Sequence, residues 1–298
     1  MSDIAEEIAS QPSVWHRASD MAAGSGLALP QPSERVLAVG CGTSWFVSQA
    51  YAALREDAGA GETDAATATE LPPERTYDRA VVISRSGTTT EVIDALATLR
   101  DRDVPTTAIT AVLGSPVAQL ARRSLVLDFA DERSVVQTRF ATGALAMLRA
   151  HLGEDLDRAI SDAGAALADP LPVEPSRFDH FVFLGHRWTV GLAHEAALKL
   201  REAAQAHTES YPAMEYRHGP VSVAGPSSLV WILGTPDPTI ADDVRATGAS
   251  VLEATLDPMA ELLRIQRMAV ALAETRGLDP DHPRHLTRSV VLQQEGTG

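Results

Sequence analysis

The sequence contains a single cysteine, Cys41, in 298 residues. One cysteine excludes a disulfide framework within the chain and fits a reducing compartment, so we expect a cytoplasmic protein. No apolar run reaches the length of about 20 residues that spans a bilayer. The first residues, MSDIAEEIASQPSVW, are acidic and lack the apolar core of a signal peptide. We therefore expect neither a membrane span nor a secretion signal.

Positive charge is also scarce. The formal net charge is -15, which argues against nucleic-acid binding through a basic surface. Lys199 is the only lysine, and every other cationic side chain apart from histidine is arginine. An anionic ligand would therefore have to be held locally, by backbone dipoles, hydroxyl groups and a few arginines.

Short apolar segments alternate with amphipathic helical segments along the chain, which predicts parallel sheets covered by helices on both faces. Arg35–Gly40 is a predicted buried strand that leads into a hydroxyl-containing turn and a helix. The proline-rich segment Asp169–Ser176 is the clearest linker, and the pattern restarts after it at His180–Gly185. Two further expectations are a polar connection over Gly59–Pro73 and a long helix over Ser134–Leu152.

The stretch Ala80–Leu96 predicts a strand, a hydroxyl-rich turn and a helix N-terminus in direct succession. Its turn, Ser84–Thr90, carries five hydroxyl side chains together with Arg85 and Gly87. The unpaired N–H groups and the positive dipole end of a helix attract anions there. Helix capping alone would need only one or two of these hydroxyls. Their number favours a phosphate site.

A second candidate lies in the helix that starts near Trp188. Glu195, Lys199 and Glu202 fall on one face of this helix, whose other positions are mostly Ala and Leu, so we expect the helix to be buried. The alternative is an ordinary exposed Glu–Lys–Glu ladder. A zinc site is not expected, because Leu198 occupies the place of the second histidine of a zinc-binding helix. Downstream, His218 lies in a loop bounded by Pro and Gly and suits proton transfer near neutral pH.

These motifs together resemble the sugar isomerase (SIS) domain family. The resemblance rests on Cys41–Ser44, the ISxSGxTxE pattern at Ile83–Glu91, Glu195–Glu202, the loop ending Arg217–Pro220 and the tail Asp281–Val290. The chain most resembles the isomerase half of glucosamine-6-phosphate synthase, the stand-alone type II glucosamine-6-phosphate deaminases and the tagatose/galactosamine phosphate enzymes. The resemblance covers nearly the whole chain.

The resemblance implies two tandem SIS domains, each a flavodoxin-like, three-layer α/β unit with a parallel sheet. We expect an N-terminal helical segment at 1–30, a first SIS domain with the phosphate loop at 31–168 and a second SIS domain at 177–298. It also implies a homodimer, in which each subunit supplies His218 to its neighbour's site, and no metal or organic cofactor.

The resemblance further assigns roles to individual residues. Glu202 would be the base that moves a proton between C1 and C2 of the sugar, His218 would open the sugar ring, and Lys199 would be the structural or electrostatic partner of Glu202. The implied phosphosugar-binding residues are Gly42, Thr43, Ser44, Ser84, Arg85, Ser86, Thr89, Val135, Gln137 and Arg288.

Three departures from the family pattern alter these expectations. No region resembles the synthase's glutaminase domain, so we do not expect ammonia release from glutamine. Arg85 stands where the family has Gln between its two phosphate-binding serines, and it could bind the phosphate more tightly or contact a different substrate. Arg288 stands where the synthase has a tail lysine that forms an imine, and a guanidinium does not form that imine under ordinary conditions. The segment Glu132–Thr138 resembles the deaminases and the tagatose/galactosamine phosphate enzymes more than it resembles the synthase.

The leading prediction is an enzyme that converts an amino-sugar 6-phosphate, such as glucosamine 6-phosphate, to the ketose phosphate and ammonia, or the reverse. One alternative is a simple aldose–ketose phosphate isomerase without ammonia chemistry. Another is a non-catalytic phosphosugar sensor.

Overall fold

A computed structural model describes residues 2–292. Met1 and residues 293–298, at the outer ends of the predicted ranges 1–30 and 177–298, lie outside the described residues. The strands are β1 (Val36–Gly40), β2 (Thr63–Thr67), β3 (Arg79–Ile83), β4 (Thr106–Thr110), β5 (Arg123–Val126), β6 (His180–Gly185), β7 (His207–Pro212), β8 (Ser228–Ile232) and β9 (Ser250–Glu253). The helices are α1 (Asp3–Ala9), α2 (Gln11–Gly24), α3 (Thr43–Asp57), α4 (Thr90–Asp101), α5 (Pro116–Leu120), α6 (Arg139–His151), α7 (Asp157–Ala168), α8 (Thr189–Ala204), α9 (Thr239–Arg245) and α10 (Pro258–Thr275).

The strands form two parallel sheets, as the alternating pattern predicted. The first has the order β2-β1-β3-β4-β5, which is the flavodoxin-like order. The second, β7-β6-β8-β9, repeats that order without a fifth strand. In each sheet the second strand of the chain lies on one side of the first strand and the third strand lies on the other side, so the strand order reverses at the first strand. Ligands of such folds bind near this reversal, at the carboxyl ends of the strands.

Helices cover both faces of each sheet. One apolar cluster joins the inner face of the first sheet (Val81, Ile83) to the inner face of the second (Phe183, Trp231), through the helices between them. The outer faces have smaller clusters of their own, under α4 and α5 for the first sheet and under α9 for the second. The two sheets therefore share a central layer of helices, which fixes one half of the chain against the other.

Contact between α3 and α8 in this central layer depends on Gly191. A Cβ at this position would lie 2.4 Å from the carbonyl oxygen of Phe46 and 2.9 Å from the backbone nitrogen of Ala50, so any larger residue would push the helices apart. The close approach brings Lys199 of α8 beside Thr43, the first residue of α3. The candidate residues of the two halves thus meet where these helices cross.

The structure differs from the prediction made from the sequence in four places. The polar connection 59–73 contains β2, and the segment after α8 forms β7; both are edge strands, whose half-exposed residues give no apolar signal. The helix predicted from Ser134 begins only at Arg139, because the Ser134 carbonyl accepts from Arg85 and the Thr138 N–H donates to the Glu132 carboxylate, so the helical hydrogen bond between them does not form. The Ala-rich helix α7 was not predicted.

Candidate active site

The hydroxyl-rich turn lies between β3 and α4, as predicted. Ser84 and Ser86 are buried, and the side chain of Thr89, the N-cap residue of α4, forms no capping hydrogen bond. Gly87 has a φ of +63°, and a Cβ there would lie 2.2 Å from the Ser115 hydroxyl oxygen, so only glycine fits this turn. The hydroxyls are therefore not used to cap α4, which removes the simplest structural explanation for their number.

The C-terminal tail lies across this turn. The hydroxyl oxygen of Ser289 is 2.9 Å from that of Thr88 and 3.2 Å from that of Ser86. The backbone N–H of Thr90, in the first turn of α4, donates to the carbonyl of Val290 at 3.1 Å. One of the free N–H groups at the helix N-terminus is thus occupied by the chain's own backbone. The tail completes the wall of the site.

Arg85 is almost fully buried and has partners other than a phosphate. Its guanidinium pairs with Glu132 at 3.2 Å and donates to the carbonyls of Ser134, Val135 and Arg288 at 3.0–3.1 Å. Arg85 therefore ties the loop before α6 and the tail to the phosphate turn. Its part in binding a sugar phosphate stays a prediction, and the geometry favours a positioning role.

The helix α8 presents the Glu–Lys–Glu group to the interior. Lys199 Nζ lies 2.6 Å from a carboxylate oxygen of Glu202, 3.4 Å from one of Glu195 and 3.1 Å from the Thr43 hydroxyl. The Lys199 and Glu195 side chains are 1% and 2% exposed, which rules out an exposed ladder. The Glu202 side chain is 21% exposed and faces a cavity. Of the three charged groups, Glu202 is the one within reach of a ligand.

Burial and charge act on this group in opposite directions. Burial raises the pKa of Glu195 to about 7, although the Lys199 ammonium lowers it. For Lys199, burial works against the charged form, but attraction to Glu195 and Glu202 outweighs it, so the pKa of Lys199 is raised. Lys199 thus stays an ammonium, as a partner of the carboxylate beside the cavity.

The raised pKa of Glu195 gives a prediction about stability. A carboxyl whose folded-state pKa is raised contributes stability at low pH, and that contribution is lost as the pH rises through about 7. We expect the free energy of unfolding of wild type, relative to Glu195→Gln, to fall by about 2 kcal/mol between about pH 5 and about pH 8. Urea unfolding at the two pH values measures this difference. A constant difference between the two proteins would contradict the assignment.

A cavity of about 190 Å³ brings the predicted residues of both halves together. A smaller cavity of about 30 Å³ adjoins it at the phosphate turn and is lined by Ser44, Ser84 and Ser86 among others. The predicted residues that line the larger cavity are Gly42, Thr43, Arg85, Thr89, Val135, Gln137, Glu202 and Arg288. Lys199 lies behind Glu202, in contact with it. The hydroxyl-rich turn, the Gln137 side chain and the Glu202 carboxylate therefore line the same cavity.

His218 is not part of this cavity. It follows the short 3-10 helix Ala213–Arg217, and its side chain is exposed. Within one chain the structure does not bring His218 and Glu202 together. A role in ring opening would require the histidine to come from another subunit, as the resemblance implies, and this stays a prediction.

Several residues of the site were not identified from the sequence. Ser289 directly follows Arg288 in the tail motif, and that position was the available signal. Glu132 accepts hydrogen bonds from Thr138 as well as pairing with Arg85. Glu7 of α1 accepts from the backbone N–H groups of Arg133 and Ser134. The last two act through contacts between distant parts of the chain, for which the sequence gives no local signal.

A known protein family matches the first half of the chain, which carries the hydroxyl-rich turn. Residues 31–151, which hold β1 to α6 and the phosphate turn, match the family model described as SIS domain. The chain contains a SIS domain. The SIS match includes the residues that line the smaller cavity, apart from Arg288.

Known proteins resemble this chain over most of its length. It is 28% identical to a glutamine–fructose-6-phosphate aminotransferase (isomerizing) of Methanothermobacter thermautotrophicus, over 87% of this chain and 52% of the relative. The chain thus spans about half the length of such relatives and is a homologue of their isomerase half.

Solved structures share the fold of this chain. A glucosamine-6-phosphate deaminase of Thermotoga maritima superposes with a TM-score of 0.82 at 26% identity, over 98% of this chain and 100% of that one. A tagatose-6-phosphate ketose/aldose isomerase of Escherichia coli superposes with a TM-score of 0.79 at 20% identity, over 99% and 97% of the two chains, which shows a shared fold.

Two other features are absent from the part of the chain that the structure describes. In residues 2–292, no helix is both long and apolar enough to cross a membrane. Over the same range, no three His, Cys, Asp or Glu side chains are grouped so that they could hold a metal ion.

Proposed function

We propose that this chain is a phosphosugar enzyme that converts an amino-sugar 6-phosphate, such as glucosamine 6-phosphate, to the ketose phosphate and ammonia. The observation that carries the proposal is the placement of the Glu202 carboxylate, paired with Lys199 at 2.6 Å, in the cavity that also holds the phosphate turn. The similarity to a protein described as glucosamine-6-phosphate deaminase supports the amino-sugar substrate.

In this proposal the two ends of the cavity have different tasks. The hydroxyls of Ser84, Ser86 and Thr89 and the N-terminus of α4 hold the 6-phosphate, so that C1 and C2 of the open-chain sugar lie at Glu202. Glu202 takes the proton from C2 while O1 gains a proton, which gives an enolamine. Glu202 then returns its proton to C1 as the nitrogen loses one, so that overall one proton passes from N to O1. The resulting imine at C2 reacts with water, and the C–N bond breaks to give ketose 6-phosphate and ammonia. Lys199 keeps the carboxylate oriented and its charge paired.

We also propose that residues 31–168 and 177–298 are two SIS domains. The repeated strand order of the two sheets supports this division. A sugar phosphate would bind between them, at the crossing of α3 and α8.

The proposed activity is tested by assaying ammonia and ketose phosphate together. Purified protein with glucosamine 6-phosphate should release both in equal amounts. Turnover of a neutral aldose 6-phosphate without ammonia release from the amino sugar would identify a simple isomerase instead. Tight binding of either compound with no turnover of any hexose or hexosamine 6-phosphate would indicate a sensor.

The phosphate turn gives a separate prediction. Ser86→Ala should raise KM several-fold with little change in kcat, because the phosphate contributes binding energy that is equal in the ground and transition states. Steady-state kinetics with glucosamine 6-phosphate measures both constants. Thr98→Ala, which removes a hydroxyl on the exposed side of the following helix, is the control. An unchanged KM in Ser86→Ala would place the phosphate elsewhere.

The role proposed for His218 is tested by mixing two inactive variants. If the histidine acts on the neighbouring subunit's substrate, a mixed dimer of Glu202→Gln and His218→Asn contains one site with both groups intact. Activity should then appear when the two purified variants exchange subunits, well above that of either alone. A monomeric protein, or a mixture as inactive as its components, would contradict the shared site.

A further inference from the structure

The loop before α6, residues 131–138, forms one wall of the cavity that holds Glu202. Val135 and Gln137 of this loop line the cavity, and the carbonyls of Ser134 and Val135 accept hydrogen bonds from Arg85. The loop belongs to no helix or strand, so its shape depends on hydrogen bonds to other parts of the chain. The first helix, α1, supplies several of these bonds and has no role in the function proposed above.

Glu7 connects α1 to this loop. One oxygen of its carboxylate accepts hydrogen bonds from the backbone N–H groups of Arg133 at 2.6 Å and Ser134 at 3.3 Å, and the other oxygen accepts from the Ser134 hydroxyl. Glu7 is 2% exposed, although glutamate is almost never fully buried unless it is paired. All three of these donors belong to the loop, so the buried carboxylate is satisfied by the loop that it holds.

The N-terminus of α1 is fixed as well. The Asp281 carboxylate accepts hydrogen bonds from the backbone N–H groups of Asp3 at 2.9 Å and Ile4 at 2.7 Å, which have no partner within the helix. The carbonyl of Asp281 accepts from the backbone N–H of Val135 at 3.1 Å. Asp281 therefore joins α1, the C-terminal tail and the loop. A shift of α1 against the loop would break hydrogen bonds at both Glu7 and Asp281.

We propose that Glu7 is a positioning residue for sugar-phosphate binding, which holds the loop 131–138 so that Val135 and Gln137 contact the ligand. This role rests on the proposed function, because that function places the sugar phosphate in the cavity that the loop lines. Glu7 itself does not line the cavity and acts through the loop. What the loop requires from position 7 is a pair of hydrogen-bond acceptors.

Two substitutions at Glu7 differ in the hydrogen bonds that they keep. In Glu7→Gln the amide oxygen can still accept from both backbone N–H groups, and the NH₂ group can donate to the Ser134 hydroxyl oxygen. The proton of that hydroxyl then goes to the Val136 carbonyl, 2.9 Å away. In Glu7→Ala all three hydrogen bonds are lost. We therefore expect Glu7→Gln to keep the loop in place and Glu7→Ala to release it.

Steady-state kinetics of the full chain with glucosamine 6-phosphate tests this role. Glu7→Ala should raise KM about tenfold and change kcat by less than about threefold, because the loop contacts the sugar equally in the ground and transition states. Glu7→Gln should keep KM within about twofold of wild type. The matched control is Glu261→Ala, which removes a buried carboxylate that accepts the backbone N–H groups of Thr255 and Leu256 and does not line the cavity. This control should lose stability but keep the wild-type KM.

Three results would overturn the role of Glu7. They are an unchanged KM in Glu7→Ala, an equal rise of KM in Glu261→Ala, and a rise in Glu7→Gln as large as in Glu7→Ala. If Glu7→Ala does not fold, Ser134→Ala decides, because it removes one of the three hydrogen bonds. It should raise KM about threefold, and an unchanged KM would refute the role.

Hydrogen exchange of residues 132–138 separates this role from the function on which it rests. If wild type turns over no glucosamine 6-phosphate, the proposed function fails, but the hold of Glu7 on the loop is still measured. Exchange in these residues should then be at least about tenfold faster in Glu7→Ala than in wild type, Glu7→Gln or Glu261→Ala. Equal rates in the four proteins would refute the positioning of the loop by Glu7.

Discussion

Glu202→Gln should lower kcat by about 10³-fold while changing the Kd for glucosamine 6-phosphate by less than about tenfold. The amide keeps the size and one hydrogen-bonding oxygen of the carboxylate but cannot accept a proton from carbon. The Glu202 carboxylate is partly exposed and lines the cavity, so it can contact a ligand there directly. Rapid-quench or steady-state assays give kcat, and calorimetry gives Kd.

The matched control for this variant is Glu209→Gln. Glu209 is a half-buried carboxylate on β7 that lies near His180 and does not line the cavity, so its loss should leave kcat at the wild-type value. A Glu202→Gln protein that keeps its activity would remove the carboxylate from the reaction. One that binds no sugar phosphate would make Glu202 a structural residue.

Arg85→Met should destabilise the protein by about 3–5 kcal/mol, because it leaves Glu132 buried without its cation. It also removes the hydrogen bonds to the carbonyls of Ser134, Val135 and Arg288. The loop before α6 and the tail should therefore loosen together. Urea unfolding measures the loss of stability, and the rate of trypsin cleavage after Arg288 reports the loosening of the tail.

Two further variants separate the buried pair from a general effect of losing an arginine. Arg245→Met breaks an exposed pair with Glu253 and should leave stability close to that of wild type. The double change Arg85→Met with Glu132→Gln should recover part of the loss, since the unpaired charge is then gone. If Arg85→Met costs no more stability than Arg245→Met, the buried pair does not hold the site together.

The fold could be predicted from the sequence where burial is strong. β3 and β6 are fully or almost fully buried strands of a parallel sheet, so their residues form short apolar runs that stand out against the helices. β2 and β7 lie at sheet edges, where TDAAT and HTESYP carry no such pattern. Their position follows only from pairing with β1 and β6.

In the candidate site, too, the features that are contiguous in the sequence could be predicted, whereas contacts between distant residues could not. The phosphate turn and the Glu195–Glu202 face are contiguous motifs, so spacing alone revealed them. The partners of Arg85 come from residues 47 to 203 positions away, and no local pattern indicates them. For this reason the sequence suggested a phosphate contact for Arg85, whereas the structure surrounds it with a carboxylate and backbone carbonyls.

We propose that one cavity holds a sugar phosphate between the serine-rich turn and Glu202. The most direct measurement is a crystal structure of the protein with 2-amino-2-deoxyglucitol 6-phosphate, an open-chain compound that cannot isomerise because it has no carbonyl group. We predict that its phosphate accepts hydrogen bonds from Ser84, Ser86 or Thr89 and that a Glu202 oxygen lies beside C1 and C2. A phosphate bound elsewhere, or a Glu202 side chain directed away from the ligand, would contradict this binding mode.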